Sequence, residues 1–248
     1  MSLLQKINNY YEKSTIPWIN IHGELRIEGF RFTQNIEEHD NILLTYINPK
    51  EGENILDAGC GIGYPTIKFA EKYINTNFYL LNNSDYQIKM IDKKLPNMQI
   101  MKSDFHKTSF NDNFFDKIYF LESFSHSLKK RDLINEIYRV LKPGGTVTIL
   151  DFCRKPGIDL KLLKIHRRVY AHFPVRSSLI KKLFLKKFTE VFFHENIKNN
   201  ITTKDEYNTG SFYCYDKKGE ITDFGKVHKD IHLYNAHVQE PVFFCYKK

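Results

Sequence analysis

The 248-residue chain is poor in cysteine, lacks long apolar runs and, over one segment, is nearly without acid; each shortage excludes something. Its four cysteines, Cys60, Cys153, Cys214 and Cys245, are scattered with no CxxC pair, which argues against a disulfide framework or a zinc site. They read as reduced thiols. No uncharged stretch is long enough to span a bilayer, and the opening MSLLQKINNYYEKSTIPW has neither the basic start nor the apolar run of a secretory signal. A cytoplasmic protein is expected. There is no internal repeat and no low-complexity segment, while 42% hydrophobic content over this length is enough to bury a full core.

The missing acid is local. The net charge is +8, yet between Arg154 and Lys187 eleven Lys or Arg face the single acid Asp159, so that segment carries +10 and the remainder −2. It can be a solvated helix face or a surface for an anionic substrate, RNA or lipid headgroups.

Through the middle of the chain, short apolar runs alternate with amphipathic segments. Strands are expected at Asn54–Ala58, Asn77–Leu81, Met98–Lys102, Phe115–Leu121 and Thr146–Phe152, with helices at Pro65–Tyr73, Asp85–Lys93 and Arg131–Leu141. A helix over Glu37–Ile47 should stop at Asn48 because Pro49 disfavours helical backbone before it. Such alternation implies an α/β, Rossmann-like, doubly wound and mostly parallel sheet, whose ligands bind beyond the carboxyl ends of the strands.

Just past the first of those ends stands DAGCGIGYP, with Asp57 ahead of Gly59, Gly61 and Gly63. The spacing is GxGxG, not the GxGxxG of a dinucleotide site, and no lysine follows to make a P-loop. A carboxylate at the strand end would repel a pyrophosphate and attract an ammonium group. The loop therefore suits a ligand with a cation and no phosphate.

ILDAGCGIGYPTIKFAEKY resembles motif I of the class I S-adenosylmethionine (SAM)-dependent methyltransferases, and the likeness runs roughly from Asn54 to Phe152. The resemblance implies SAM as cofactor and S-adenosylhomocysteine as product. Asp57 would face the methionine end, with Gly59, Cys60, Gly61 and Gly63 giving backbone close approach. Asn82 stands where most of the family has an acid for the ribose, and Asn83 and Gln87 accompany it. The Asn82-x-Ser84-x-x-Gln87 pattern is similar to a small-molecule subgroup that includes sugar, tocopherol and related C- or O-methylating enzymes. In MKSDFHKTSF, Asp104 matches the acid that takes the adenine amino group, with Phe105 beside the ring. NDNFFDKIYFLESFSHSL is similar to the family's fourth strand, which places Leu121 at the cofactor, and INEIYRVLKPGGTVTILDF to the segment carrying its fifth.

For chemistry, the resemblance points to His126 as general base with Asp151 assisting, and to Glu122 at a strand end where it would meet the acceptor. It further implies an antiparallel last strand, PVFFCYKK, paired with FTEVFFHEN. The expected organisation is one domain: an N-terminal helical lid (1–50), a SAM-binding core (54–152), a helical cap (156–188) with helices at Asp159–Phe173 and Ser178–Phe188, and C-terminal strands (189–248). His228 and His232 are four apart, but no third ligand stands at proper spacing, so no metal is expected.

A small-molecule methyltransferase is the leading expectation. Its acceptor is an anionic small molecule if the basic segment serves it, and a homodimer is allowed. Two alternatives stay open: a C-methyltransferase of a prenyl diphosphate, and an RNA methyltransferase using residues 154–187. Against the latter, there is no separate RNA-binding module and no N-P-P-[YF] motif.

Overall fold

The computed structural model describes residues 3–22, 30–158, 160–161, 163–164, 167, 172–195, 197 and 239–248. Seven strands form one sheet: β1 (Asn54–Ala58), β2 (Asn77–Asn82), β3 (Met98–Lys102), β4 (Phe115–Leu121), β5 (Leu141–Arg154), β6 (Thr189–Glu195) and β7 (Gln239–Lys247), in the order β3-β2-β1-β4-β5-β7-β6. The first five are parallel, and β7 lies antiparallel between β5 and β6. FTEVFFHEN and PVFFCYKK thus pair as expected. The strand order reverses between β1 and β4, the switch point at which such sheets bind ligands.

Central strands are apolar on both faces because helices cover both. Alternate residues point opposite ways, so Leu56, Ile118, Phe120 and Ile149 pack with α5 (Lys130–Val140) while Ile55, Tyr119 and Leu150 pack on the other side. That other side is covered by α2 (Ile36–Ile47), through Leu43, Leu44 and Ile47, and by α3 (Tyr64–Lys72), through Ile67, Phe69 and Ala70.

Several boundaries differ from the expectation for local reasons. Helix α2 ends at Ile47, but Asn48 adopts the left-handed conformation (φ 50°) and its N–H bonds Leu44 O at 2.7 Å. It closes the helix as an αL cap, not as the extended residue that a following proline favours. Strand β5 starts five residues early, at Leu141, because Gly145 has no Cβ to meet Asp116 O, which would lie 2.7 Å away. Helix α4 (Asp85–Lys89) is one short turn, begun by the Ser84 side chain accepting from Gln87 N.

From the segment read as a lid, α1 (Leu3–His22) reaches the strand ends: Asn8 Nδ2 donates to Asn83 O, and Thr15 Oγ1 accepts from Gln87 Nε2 at 3.1 Å. Helix α6 (Ser177–Phe184) buries Ile180 and Phe184, the latter stacked on Tyr246 at 4.5 Å, so its inner face is part of the core. Most of the helix expected at Asp159–Phe173, together with Cys214, His228, His232 and His237, lies outside the described residues. Among the described residues no helix is long and apolar enough to cross a membrane, and no group of three or more His, Cys, Asp or Glu could hold a metal ion.

Candidate functional site

The loops after β1 and β4 meet at the switch point. Gly59, Gly61 and Gly63 all have positive φ, at 90°, 56° and 77°, which side-chain-bearing residues rarely adopt. The protein itself requires two of them. A Cβ on Gly59 would stand 2.5 Å from Ser123 Cβ, and one on Gly63 would stand 3.0 Å from Leu80 Cδ2. At these two positions the glycines also allow a close approach within the protein, to the turn after β4 and to β2.

The loop turns its amides inward. Gly59 N and Cys60 N both donate to Leu81 O, at 2.8 and 3.1 Å, and Gly63 N donates to Cys60 O at 2.8 Å. Those N–H groups cannot cradle a phosphate. Asp57 is buried and accepts from Thr66 Oγ1, which also bonds Tyr119 OH at 2.7 Å. Cys60 is buried, and burial, aided by the Asp57 charge, pushes its thiol well up, so it is no nucleophile.

Asn82 sits at the end of β2 as expected, but its amide is engaged within the protein. Its Nδ2 donates to Gly61 O at 2.8 Å and to Gln87 Oε1 at 2.9 Å, and its Oδ1 accepts from Ser84 N at 3.1 Å. The side chain ties the glycine loop to α4 and, through Gln87 and Thr15, to α1. Both of its donors are therefore used, and only a lone pair remains for a ribose.

Beyond β3, Asp104 Oδ1 accepts from His106 N at 2.9 Å and meets His106 Nδ1 at 2.6 Å, while His106 Nε2 lies 2.7 Å from Ser127 Oγ. The His106 bond holds the Asp104 carboxyl below its usual range, although partial burial pushes it up. Phe105 approaches the Gly59 Cβ position to 3.8 Å and packs edge-on to Phe120. His106, two places after the acid, was legible as a partner only once the loop's path was known.

After Leu121, which is level with Leu150 on β5, Glu122 takes positive φ (54°), an uncommon state for a non-glycine residue. Its Oε1 accepts from Phe30 N at 2.6 Å, so it holds the segment after α1 against the strand end. The next residues turn through Phe124–His126. Here His126 Nε2 lies 2.6 Å from Tyr11 OH on α1. Burial, with Tyr10, Glu122 and Asp151 adding, raises the Tyr11 phenol well above its ordinary value, so it stays protonated at neutral pH.

Asp151 and His126 occupy one cluster, but Asp151 takes other partners. Its carboxylate accepts from Ser125 N at 2.9 Å and Phe152 N at 2.7 Å, and His172 Nε2 is 3.5 Å away. Burial raises its pKa, while His172 and the two N–H donors outweigh that and keep it a carboxylate. His172 Nε2 also bonds Ser125 Oγ, and its ring is 5.2 Å from that of His126. One nitrogen serves both serine and aspartate, so this is not a nucleophile relay, which uses opposite ring nitrogens. Beneath the turn, buried Lys130 donates to the carbonyls of Phe124 (3.0 Å), Ser125 (3.1 Å) and Ser127. Sequence reasoning placed Tyr11 in the N-terminal lid closing the acceptor pocket without its partner, and missed His172 and Lys130 as site members, because no local spacing connects them to the glycine loop.

Residues 56–149 match the family model described as a methyltransferase domain. The sterol 24-C-methyltransferase of Schizosaccharomyces pombe is 31% identical over 184 residues, which are 70% of this chain and 48% of that one. The chain spans about half, or less, of the length of the curated relatives it matches. Among solved structures, Haemonchus contortus phosphoethanolamine N-methyltransferase 2 in complex with S-adenosyl-L-methionine superposes with TM-score 0.78 at 17% identity, covering 100% of this chain and 60% of that one. The [4+2]-cyclase SpnF gives 0.80 at 16%, covering 98% and 94%. These two likenesses carry the fold alone, and a cyclase among them means that the fold does not choose the reaction.

Proposed function

The chain carries a class I methyltransferase domain, and from that premise we propose that it transfers a methyl group from SAM to a proton-bearing small-molecule acceptor. The carrying observation is a juxtaposition: a carboxylate-backed glycine loop with inward amides at the end of β1, and the Tyr11–His126 pair at the end of β4.

The residues present fit SAM. Amides of Gly59, Cys60 and Gly63 committed to protein carbonyls leave the loop without the N–H nest that a phosphate needs, while Asp57 offers negative charge to an ammonium. Asp104 keeps its second oxygen for an amino group, with Phe105 as an apolar wall. Asn82 shapes this site through Gly61 more than it holds a ribose. When bound, SAM supplies an electrophilic methyl group.

The rest of the work falls to the chain. An acceptor over the 122–126 turn is deprotonated by Tyr11, whose own proton passes to His126 Nε2 along the 2.6 Å bond. Such a relay suits a phenol that burial forbids to ionise alone. Tyr11 therefore takes the assisting place that the sequence reading gave to Asp151. Asp151 acts with His172 and Ser125 to fix the turn, and Glu122 holds Phe30 so that the N-terminal segment excludes water. Names of relatives offer sterols and phosphoethanolamine as acceptor types, both small molecules.

The test is to incubate the full chain with methyl-labelled SAM and a fractionated extract. Label in the small-molecule or lipid pool supports the reading; label confined to RNA or protein sinks it.

A further inference from the structure

Beyond Asp151, strand β5 ends at Arg154, whose backbone N–H donates to Val175 O at 3.0 Å. That bond brings the start of α6, and with it Arg176, against the strand end. Arg167 belongs to the same group: burial, together with the like charges of Arg176 and Arg167, lowers the Arg154 pKa, and Arg167 acts likewise on Lys130. Three guanidiniums and an ammonium thus converge next to the cluster that holds His126.

Lys130 is met by the carbonyls of the turn, but among the described residues none of the three arginines forms an ion pair. Asp151 is the near carboxylate, and it is already occupied by Ser125 N, Phe152 N and His172. Glu195 and Glu240 act on Cys153, and among the described residues neither forms an ion pair with these arginines. The Nε atoms of Arg154 and Arg167 are both buried with no hydrogen-bond partner, and so is Oε1 of Gln239, the residue paired with Arg154 across β5 and β7. Buried donors without acceptors cost stability, and clustered like charges add to that cost. Helix α6 begins at the same place with no side-chain cap, so its N-terminal dipole adds further positive potential.

We propose that Arg154, Arg167 and Arg176 form the anion-binding subsite of the acceptor, taking a phosphate or diphosphate group beyond the end of β5. Guanidinium forks match phosphoryl oxygens, two N–H groups to two oxygens, better than lysines do. The Gln239 oxygen can take the hydroxyl of a phosphate monoanion. His126 lies on the near side of Asp151, whose strand ends at Arg154, with His172 beside both Asp151 and His126, so an acceptor anchored by its anion at the strand end points its other end at the Tyr11–His126 pair. A neutral sterol would leave the cluster unmet. The use of the subsite rests on the methyltransferase reading; its existence does not.

Calorimetric titration of the full chain with sodium pyrophosphate, and separately with inorganic phosphate, at constant ionic strength tests this. The expected result is saturable binding at one site, weakened roughly tenfold in Arg154→Gln and in Arg167→Gln. Both variants should melt no lower than the parent without ligand, because each removes an unmet buried donor and a like charge. Preference for phosphate or for pyrophosphate distinguishes a monoester from a diphosphate acceptor. No saturable binding by the parent, or equal binding by the Arg154→Gln/Arg167→Gln double variant, overturns the proposal. S-adenosylhomocysteine titrated into the same samples separates the two readings: bound without pyrophosphate, it leaves methyl transfer standing and removes the subsite. Pyrophosphate bound without S-adenosylhomocysteine does the reverse.

Discussion

Tyr11 and His126, 115 residues apart in sequence, are joined by a 2.6 Å bond between the phenol oxygen and Nε2. A side chain from the first helix thereby completes a turn built at the end of the fourth strand, and the candidate proton path exists only when α1 is docked.

Tyr11→Phe keeps the ring and removes the hydroxyl. Turnover should fall by about 10²–10⁴, the usual share of general acid–base catalysis, with affinity for S-adenosylhomocysteine unchanged. His126→Gln should behave alike, and the double variant should be no worse than either single one, since the two act as a unit. Steady-state kinetics beside calorimetry check this, and unimpaired turnover in either variant removes the pair from the mechanism.

Asn82→Asp would install the residue most of the resembling family carries, yet here it should harm. It loses both Nδ2 donors and sets a carboxylate oxygen against Gly61 O and Gln87 Oε1. A loss of about 1–3 kcal/mol is expected from the unmet buried acceptors, read as a lower denaturation midpoint. Tighter cofactor binding with intact stability would return Asn82 to the ribose role.

Gly59→Ala meets Ser123 Cβ at 2.5 Å and must hold φ at 90°. Each burden can be removed separately. Pairing it with Ser123→Gly lifts the clash and leaves the backbone strain, of order 1–3 kcal/mol. The double variant should therefore be more stable than Gly59→Ala alone; equal stabilities would mean that backbone strain is the whole cost.

Burial pulls Lys130 from 10.5 to about 7, with Asp151 and Cys153 partly opposing and Arg167 adding. Between those two values the unfolded chain binds the proton that the folded chain has released, so this lysine's contribution makes stability rise with pH from about 7 to 10.5. Buried Cys60 and Cys153, whose pKa values are raised, pull the other way. Urea unfolding of the parent and of Lys130→Met from pH 7 to 10 cancels them: the difference should shift toward the parent by about a few kcal/mol. A difference that is flat with pH contradicts a depressed Lys130.

The parallel strands were legible because a sheet covered on both faces demands short, continuous apolar runs, and three of the five central strands begin and end where the runs do. The start of β5 was not, because Pro143-Gly144-Gly145 reads as a turn until Asp116 is known to lie against Gly145. The glycine loop was legible by position, but the reason for Gly59 and Gly63 was not: the atoms they must avoid belong to Ser123, in the turn after β4, and Leu80, on β2.

By itself the sequence determined the α/β class, the strand ends where ligands gather and the residues that follow them, since periodicity and turn chemistry are local. Tertiary structure alone decided who partners whom there. It gave Asp151 to His172, Tyr11 to His126 and Asn82 to Gly61, and it drew Arg154, Arg167 and Arg176 together. Hydrogen bonds and charge clusters form across the sheet's end between segments far apart in the chain, and no spacing in a linear sequence encodes that proximity.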